Sequence, residues 1–366
     1  MKNSNLIIAC IAAAMMLFTI DTKAQLKTPE GSQRAQVMQR VGITNITIDY
    51  GRPSVKEREI WGKLVPYGYN DLGFGTSKAA PWRAGANLNT TIEFTNDVKV
   101  EGKDIKAGIY GLHIALKEDG GATIIFSNNS TSWGSYFYDE KEDALRVDVK
   151  TKEAPHTEIL SFSFPIIEAN STVAALRWEK KEIPFKIEVD VKSIVMTGIK
   201  NDLRNTAGFT QSNWDNAANY AFNAGELDKA LEWINGSISG NFFSKETFSN
   251  LSLKSQILVK QGKTNDAMTL VDKAAKLGNA SQVFQLGTGL ISQKQNDKAL
   301  AILKDNVKNN NGAWPSNFGL ARAYSAKGDY KNAVKSLNIA MTKAPERFKP
   351  RLTAALEKLK KGEDIN

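Results

Sequence analysis

The sequence predicts a chain of two parts, an antiparallel β-sandwich followed by an α-helical solenoid. Two observations carry this prediction. From Ala35 to Val191 the apolar residues recur with period two, and after about Ser193 they recur with a helical period. The length of 366 residues, at roughly 150 residues per domain, also favours two or three domains. One Cys and two His exclude a disulfide framework and a Cys/His zinc site.

Residues 1–24 have the features of a secretory signal peptide. After a basic start, an apolar run extends from Leu6 to Ile20, and Thr22 and Ala24 fit the small residues that precede a cleavage site. Cys10 follows only four apolar residues, too few for a lipoprotein signal. We therefore expect export, to the periplasm or to the extracellular space, and no transmembrane segment in the mature chain.

Residues 25–192 predict the β-sandwich. In one segment Ile46, Ile48 and Tyr50 alternate with polar residues, and the same alternation returns in other short segments. One apolar face per strand is what two packed antiparallel sheets require, because only one face of each sheet is buried. The pattern predicts about ten short strands.

Residues 193–366 predict paired helices that repeat along the chain. Four alanines recur at spacings of 37, 32 and 34 residues, each after a turn and a charged residue. They are Ala230, Ala267, Ala299 and Ala333. This pattern resembles the tetratricopeptide repeat, in which small residues let paired helices approach each other. The resemblance implies a protein partner docked on the repeats, and a polar capping helix over residues 348–361.

The formal charge of +9 is concentrated in the repeats. Residues 199–366 hold 24 Lys and Arg against 15 Asp and Glu, whereas residues 25–198 hold 22 against 23. An acidic partner of the repeats fits this charge. The alternative is a solvated outer face that keeps the solenoid soluble. Nucleic acid is not expected as a partner, because few aromatic residues are interleaved with the basic ones.

Several motifs of the first half occur in a distinctive order. They are Asp49–Lys56, Trp82–Asn87, Ala107–Leu112 and Trp133–Tyr136. Together they resemble the secreted bacterial family known as domain of unknown function 2911, over roughly residues 28–190. The loop from Tyr69 to Pro81 is an insertion relative to shorter members of that family. The resemblance implies no reaction mechanism.

Eight residues of the first half form the candidate ligand-binding set. They are Arg52, Trp61, Trp82, Arg83, Asn87, His113, Trp133 and Tyr136. All except His113 lie in or beside predicted loops, where binding residues gather on a rigid sandwich. Their side chains can stack on a sugar ring or clamp a carboxylate. The alternative is a buried cluster that closes the end of the sandwich.

His113 is the one candidate within a predicted strand. Its neighbours on the same face, Gly111 and Ala115, are small, and a hollow beside the ring would suit a general base or a ligand contact. The alternative is a hydrogen-bonded structural histidine, since the sequence reveals no nucleophile or orienting partner for it.

The sequence predicts an exported, non-catalytic protein that binds a ligand or a protein and carries a repeat scaffold. It indicates no catalytic residues, no metal site and no cofactor, and the loop of residues 68–78 lacks the Gly-Lys-Ser/Thr ending of a phosphate-binding loop. One alternative is an enzyme that processes an envelope component, saccharide or peptide, with its site in the sandwich loops. Another is an assembly factor without a small ligand.

Overall fold

The computed structural model describes Pro29 and residues 31–366, so the predicted signal peptide lies outside the described residues. The chain divides into two compact units, one ending at Val191 and the other beginning at Lys192. The first consists of antiparallel sheets and the second of helices, which confirms the predicted fold class. Within the described residues, no helix has the length and apolar character needed to cross a membrane.

Two sheets make up the first unit. Their strands are β1 Arg34–Val41, β2 Thr44–Gly51, β3 Thr91–Phe94, β4 Val98–Val100, β5 Lys103–Ile105, β6 Gly108–Leu116, β7 Gly121–Ser127, β8 Asp143–Lys150, β9 Lys152–Ile167 and β10 Ser171–Glu188. The larger sheet has the strand order β1-β2-β3-β6-β7-β8 and the smaller the order β5-β4-β10-β9.

Aromatic side chains join the two sheets. Phe126 of β7 meets Phe185 of β10 with ring centroids 6.2 Å apart, and Tyr50 of β2 meets Phe162 of β9 at 4.9 Å. The Phe162 amide also donates a 3.0 Å hydrogen bond to the Tyr50 hydroxyl. A buried Tyr needs such a partner for its hydroxyl, so this pair fixes one sheet against the other.

The last two strands are longer than the sequence pattern predicts. β9 has 16 residues and β10 has 18, because the two strands form one long hairpin that tolerates irregular pairing. The register shifts between Arg177 and Glu179, and Trp178 lies at that irregularity. Bulges re-aim side chains, and Trp178 is fully buried at the site described below.

Helical hairpins make up the second unit. The helices are α1 Val191–Asp202, α2 Gln211–Asn223, α3 Leu227–Ile238, α4 Phe248–Lys260, α5 Thr264–Leu277, α6 Ala280–Ser292, α7 Asn296–Asn309, α8 Trp314–Ala326, α9 Tyr330–Lys343 and α10 Lys349–Lys360. From α2 to α9 they form four consecutive hairpins. Capping boxes at Thr247 and Asn279 precede α4 and α6. In each, two side chains accept hydrogen bonds from backbone N–H groups that have no partner within the helix.

Small residues lie where the helices cross. The four recurring alanines each lie in the first turn of the second helix of a hairpin, and all four are fully buried. Gly287 of α6 and Gly319 of α8 both abut Leu303 of α7, where an added Cβ would lie within 2.8 Å of its side chain. At the end of the stack α10 buries Leu352 and Leu359 and exposes its polar side.

Candidate functional site

A cleft of about 350 Å³ opens at one end of the β unit. Most of its wall comes from residues 53–87, the long connection between β2 and β3. Trp82 anchors this connection, because its amide and carbonyl exchange hydrogen bonds of 3.0 and 2.8 Å with Ile114 of β6. The cleft therefore lies on loop residues that are fixed to a rigid sheet, at the part of β6 that extends beyond its pairing with β3.

Three tryptophans form the inner wall of this end of the sandwich. Trp82 stacks on Trp178 with ring centroids 6.0 Å apart, and Trp61 meets both rings edge-on at 5.9 Å. Of the three, Trp82 and Trp178 line the cleft. The indole N–H groups of Trp61 and Trp178 are buried without an acceptor among the described residues. A buried donor without an acceptor is costly, and both indole nitrogens are inaccessible from the cleft.

The Arg83 guanidinium is held at the cleft by its neighbours. It donates a 2.6 Å hydrogen bond to the Asn87 carbonyl oxygen and lies over the Tyr136 ring, 4.9 Å from its centroid. Gly134 makes this position possible, because a Cβ there would lie 2.5 Å from the guanidinium carbon, and its φ of +58° also favours glycine. Arg83 is thus presented to the cleft on an aromatic support.

A second arginine lines the same cleft. The Arg58 guanidinium donates to the carbonyl oxygens of Ser54 and Val55, which orients it. Neither Arg58 nor Arg83 forms an ion pair with a carboxylate among the described residues. The other polar residues of the wall are Ser32, Asn70, Asn87 and Ser135, and the wall contains no Asp or Glu. The cleft is therefore cationic and rich in hydrogen-bond donors.

His113 reaches the cleft through Ser135. Its Nδ1 atom lies 2.9 Å from the Ser135 hydroxyl oxygen, and Ser135 lines the cleft. Burial, with a smaller contribution from the nearby Arg83 charge, lowers the pKa of His113 to about 4. The imidazole is therefore neutral at pH 7.

The expected hollow beside His113 is absent. The space next to Gly111 is filled, because a Cβ there would lie 2.6 Å from the Asn129 carbonyl oxygen and 2.8 Å from Asn89 Nδ2. On its other side the imidazole ring contacts the Tyr138 ring, with centroids 5.4 Å apart. His113 itself is fully buried. The prediction of a hollow is wrong because the loops after β2 and β7 cover this face of β6.

The structure brings together part of the candidate ligand-binding set. Trp82, Arg83 and Asn87 line the cleft. Three more support it from behind, namely Trp61, His113 and Tyr136. Two lie apart: Arg52 donates a 2.9 Å hydrogen bond to the Leu160 carbonyl oxygen, and Trp133 is half exposed.

Most residues of the cleft wall were not in the candidate set. Arg58, Asn70, Ser135 and Trp178 are among those that sequence reasoning missed. Arg58 sits in a charged run that is typical of a solvated turn, and Trp178 interrupts the alternation of a strand without marking a loop. Ser135 belongs to the motif Trp133–Tyr136, and that membership was the available signal.

The inserted loop packs against the segment after β7. Phe74 at its tip contacts the rings of Trp133, Tyr136 and Phe137, with centroids 5.3 to 6.2 Å apart. Gly75 lies against the Tyr136 carbonyl, and the Ser77 amide donates to that oxygen over 3.0 Å.

Among the described residues, no group of three or more His, Cys, Asp or Glu side chains is arranged to hold a metal ion.

Several lysines of the repeats form ion pairs with carboxylates on neighbouring segments. Lys273 of α5 pairs with Glu246 at 3.1 Å, and Lys298 of α7 pairs with Asp272 of α5 at 2.5 Å. Lys327, just after α8, pairs with Asp297 of α7. Exposed pairs contribute little stability each, yet they neutralise part of the basic surface and leave its excess charge elsewhere on the repeats.

Residues 32–187 match the family model described as "Protein of unknown function (DUF2911)". This match confirms the family resemblance inferred from the motifs of the first half. No curated protein matches the chain.

Several solved structures of proteins with tetratricopeptide repeats are similar to this chain. YrrB, described as a TPR protein with an unusual peptide-binding site, is 16% identical over 46% of this chain and 84% of its own, with a TM-score of 0.32. The C-terminal part of a repeat protein from Cytophaga hutchinsonii is 16% identical over 45% of this chain and 67% of its own, with a TM-score of 0.35. A repeat protein from Parabacteroides merdae is 15% identical over 48% of this chain and 75% of its own, with a TM-score of 0.33.

Proposed function

We propose that this protein is an exported, non-catalytic binding protein with two binding parts. The cleft of the β unit holds a small organic anion with a ring or another apolar body, and the helical repeats dock a partner protein. The observation that carries the first part is the cleft wall, which contains two arginines and no carboxylate. Export is inferred from the sequence of residues 1–24 alone.

The wall of the cleft has the two features that such a ligand requires. Arg58 and Arg83 keep free N–H groups after their bonds to backbone carbonyls, and guanidinium groups bind carboxylates with two parallel hydrogen bonds. The Trp82 ring and the adjoining Pro66 and Pro81 supply an apolar surface for the ligand body. A sugar acid and an aromatic carboxylate both satisfy this description.

The docking role of the repeats is supported by their architecture and charge. Stacked helical hairpins present an extended surface made by consecutive first helices. The excess of 24 Lys and Arg over 15 Asp and Glu in residues 199–366 favours an acidic partner.

Two matched pairs of probes test the cleft. Titration calorimetry with benzoate and with glucuronate should detect binding, whereas benzyl alcohol and glucose, which lack the carboxylate, should bind at least tenfold more weakly. The double variant Arg58→Gln/Arg83→Gln should lose at least tenfold in affinity, which corresponds to about 1.4 kcal/mol. Arg40→Gln, an exposed change on β1, is the control. Equal binding of the acids by wild type and double variant would contradict the proposal.

One observation favours an enzyme as the second candidate, namely the Ser135 hydroxyl beside His113 Nδ1 at the cleft wall. In that function the hydroxyl adds to a substrate carbonyl carbon while its proton passes to the imidazole. A fluorophosphonate probe distinguishes the two candidates in the same preparation. Labelling that disappears in Ser135→Ala would establish a reactive serine, and absence of labelling with carboxylate binding intact would support the binding protein.

A further inference from the structure

A short segment beyond the capping helix returns to the face of α8. Residues Asp364–Asn366, called the acidic segment below, follow a turn at Gly362 and form no helix. Helices α6 and α8 are the first helices of consecutive hairpins and pack against each other. The face that they share carries Phe284 and Phe318, whose rings stack with centroids 5.6 Å apart.

Ser325 of α8 binds the acidic segment twice. Its hydroxyl donates a 2.6 Å hydrogen bond to the Asp364 carboxylate and accepts one of 3.1 Å from the Ile365 amide. Ser325 is itself almost fully buried. One serine thus recognises both an acidic side chain and the backbone that follows it.

Arg322 binds the next part of the segment, one helical turn earlier on α8. Its Nε donates to the Asn366 side-chain oxygen over 3.1 Å, and its carbonyl oxygen accepts a hydrogen bond of 3.1 Å from Asn366 Nδ2. A further bond of 3.2 Å to Thr288 of α6 fixes the guanidinium across the two helices. Between these polar contacts the Ile365 side chain packs against the apolar cluster that includes Phe318 and Leu352.

The charge around this face favours an acidic occupant. Arg351 of α10 lies near, with its guanidinium carbon 5.8 Å from the centroid of the Phe318 ring. Burial and then the Arg351 charge lower the pKa of Arg322, and the Asp364 carboxylate opposes that effect. The partly buried Arg322 and the exposed Arg351 repel each other, so the nearby Asp364 carboxylate is stabilising.

We infer that the face of α6 and α8 is a docking site for an extended acidic segment of a partner protein, with an acidic residue followed by an aliphatic one, and that the chain's own acidic segment fills this site and competes with the partner. The inference rests on the proposed docking role of the repeats and names the segment that they recognise. The covalent link gives the acidic segment a high effective concentration, so the partner binds only when it outcompetes that segment.

Fluorescence anisotropy of a labelled peptide, Lys-Gly-Glu-Asp-Ile-Asn with both ends blocked, tests the inference. A chain ending at Gly362 should bind the peptide at least tenfold more tightly than the full chain. The full chain with Asp364→Lys, which keeps its length, should bind the peptide with an affinity close to that of the truncated chain. The peptide with Lys in place of Asp should bind neither.

Two substitutions in the truncated chain complete the test. Ser325→Ala and Arg322→Gln should each weaken peptide binding at least tenfold, whereas Ser292→Ala, an exposed serine near the end of α6, should leave it unchanged. Circular dichroism checks that each variant is folded. Equal peptide binding by the full and truncated chains, or binding unaffected by Ser325→Ala, overturns the inference. Because the test uses no partner protein, absence of any partner would contradict the proposed function without altering this result.

Discussion

The two units bury their cores in different ways. The β unit joins large side chains that are far apart in sequence, such as Tyr50 with Phe162, and its cleft combines residues from three separate loops and one strand. The helical unit buries small residues at a regular spacing, and each hairpin packs on its neighbours. A core of long-range contacts is cooperative over the whole sandwich, whereas a stack of repeats is stabilised step by step.

Matched truncations of the two cores should show this difference. Phe126→Ala removes a fully buried ring between the sheets and should cost about 3–5 kcal/mol in the free energy of unfolding. Leu303→Ala, at the crossing of α6, α7 and α8, should cost about 2–5 kcal/mol. Denaturant unfolding measures both values, because each change leaves a cavity where side chains were in contact.

Hydrogen exchange then locates the loss. Phe126→Ala should reduce amide protection across both sheets, whereas Leu303→Ala should reduce it most in the adjoining hairpins and least in α2 and α3. The exposed side chains Ile43 and Leu277 provide controls, and their change to Ala should stay within about 0.5 kcal/mol. A uniform loss over all hairpins in Leu303→Ala would refute the stepwise stability of the repeats.

The buried histidine should make the β unit sensitive to acid. Folding lowers the pKa of His113 from 6.5 to about 4, so the unfolded chain binds more protons than the folded one between these values. The contribution of the neutral imidazole is fully present above pH 6.5 and is lost as the pH falls toward 4, by roughly 3 kcal/mol in all.

Stability measured against pH checks this contribution. The loss between pH 6.5 and 4 should be smaller by roughly 3 kcal/mol in His113→Gln than in wild type. If His113→Gln loses as much stability as wild type over this range, the imidazole is not the group responsible.

The contrast between the units also explains what the sequence could predict. Ala230 and its three counterparts were identifiable because a repeat places equivalent residues at similar spacings, and local contacts decide their burial. The cleft of the β unit was only partly predicted. Its residues Arg58, Ser135 and Trp178 come together through the packing of loops and through an irregularity in a strand. Neither feature is encoded by periodicity, since both depend on which distant segments pack together.

Two glycines of α6 offer the finest test of the packing in the repeats. Gly287→Ala should destabilise the helical unit by about 1–3 kcal/mol, because the added Cβ would lie 2.5 Å from Leu303 Cδ1. Gly289→Ala, two residues along, meets no atom within 4 Å and should stabilise the same unit by about 0.5–1 kcal/mol, since alanine favours a helix over glycine. Thermal unfolding followed by helical circular dichroism measures both changes. Opposite signs in one helix would show that the crossing with α7, and not helix propensity, requires glycine at 287. A stabilising Gly287→Ala would mean instead that Leu303 shifts freely, and the close approach of α6 and α7 would then have no energetic role.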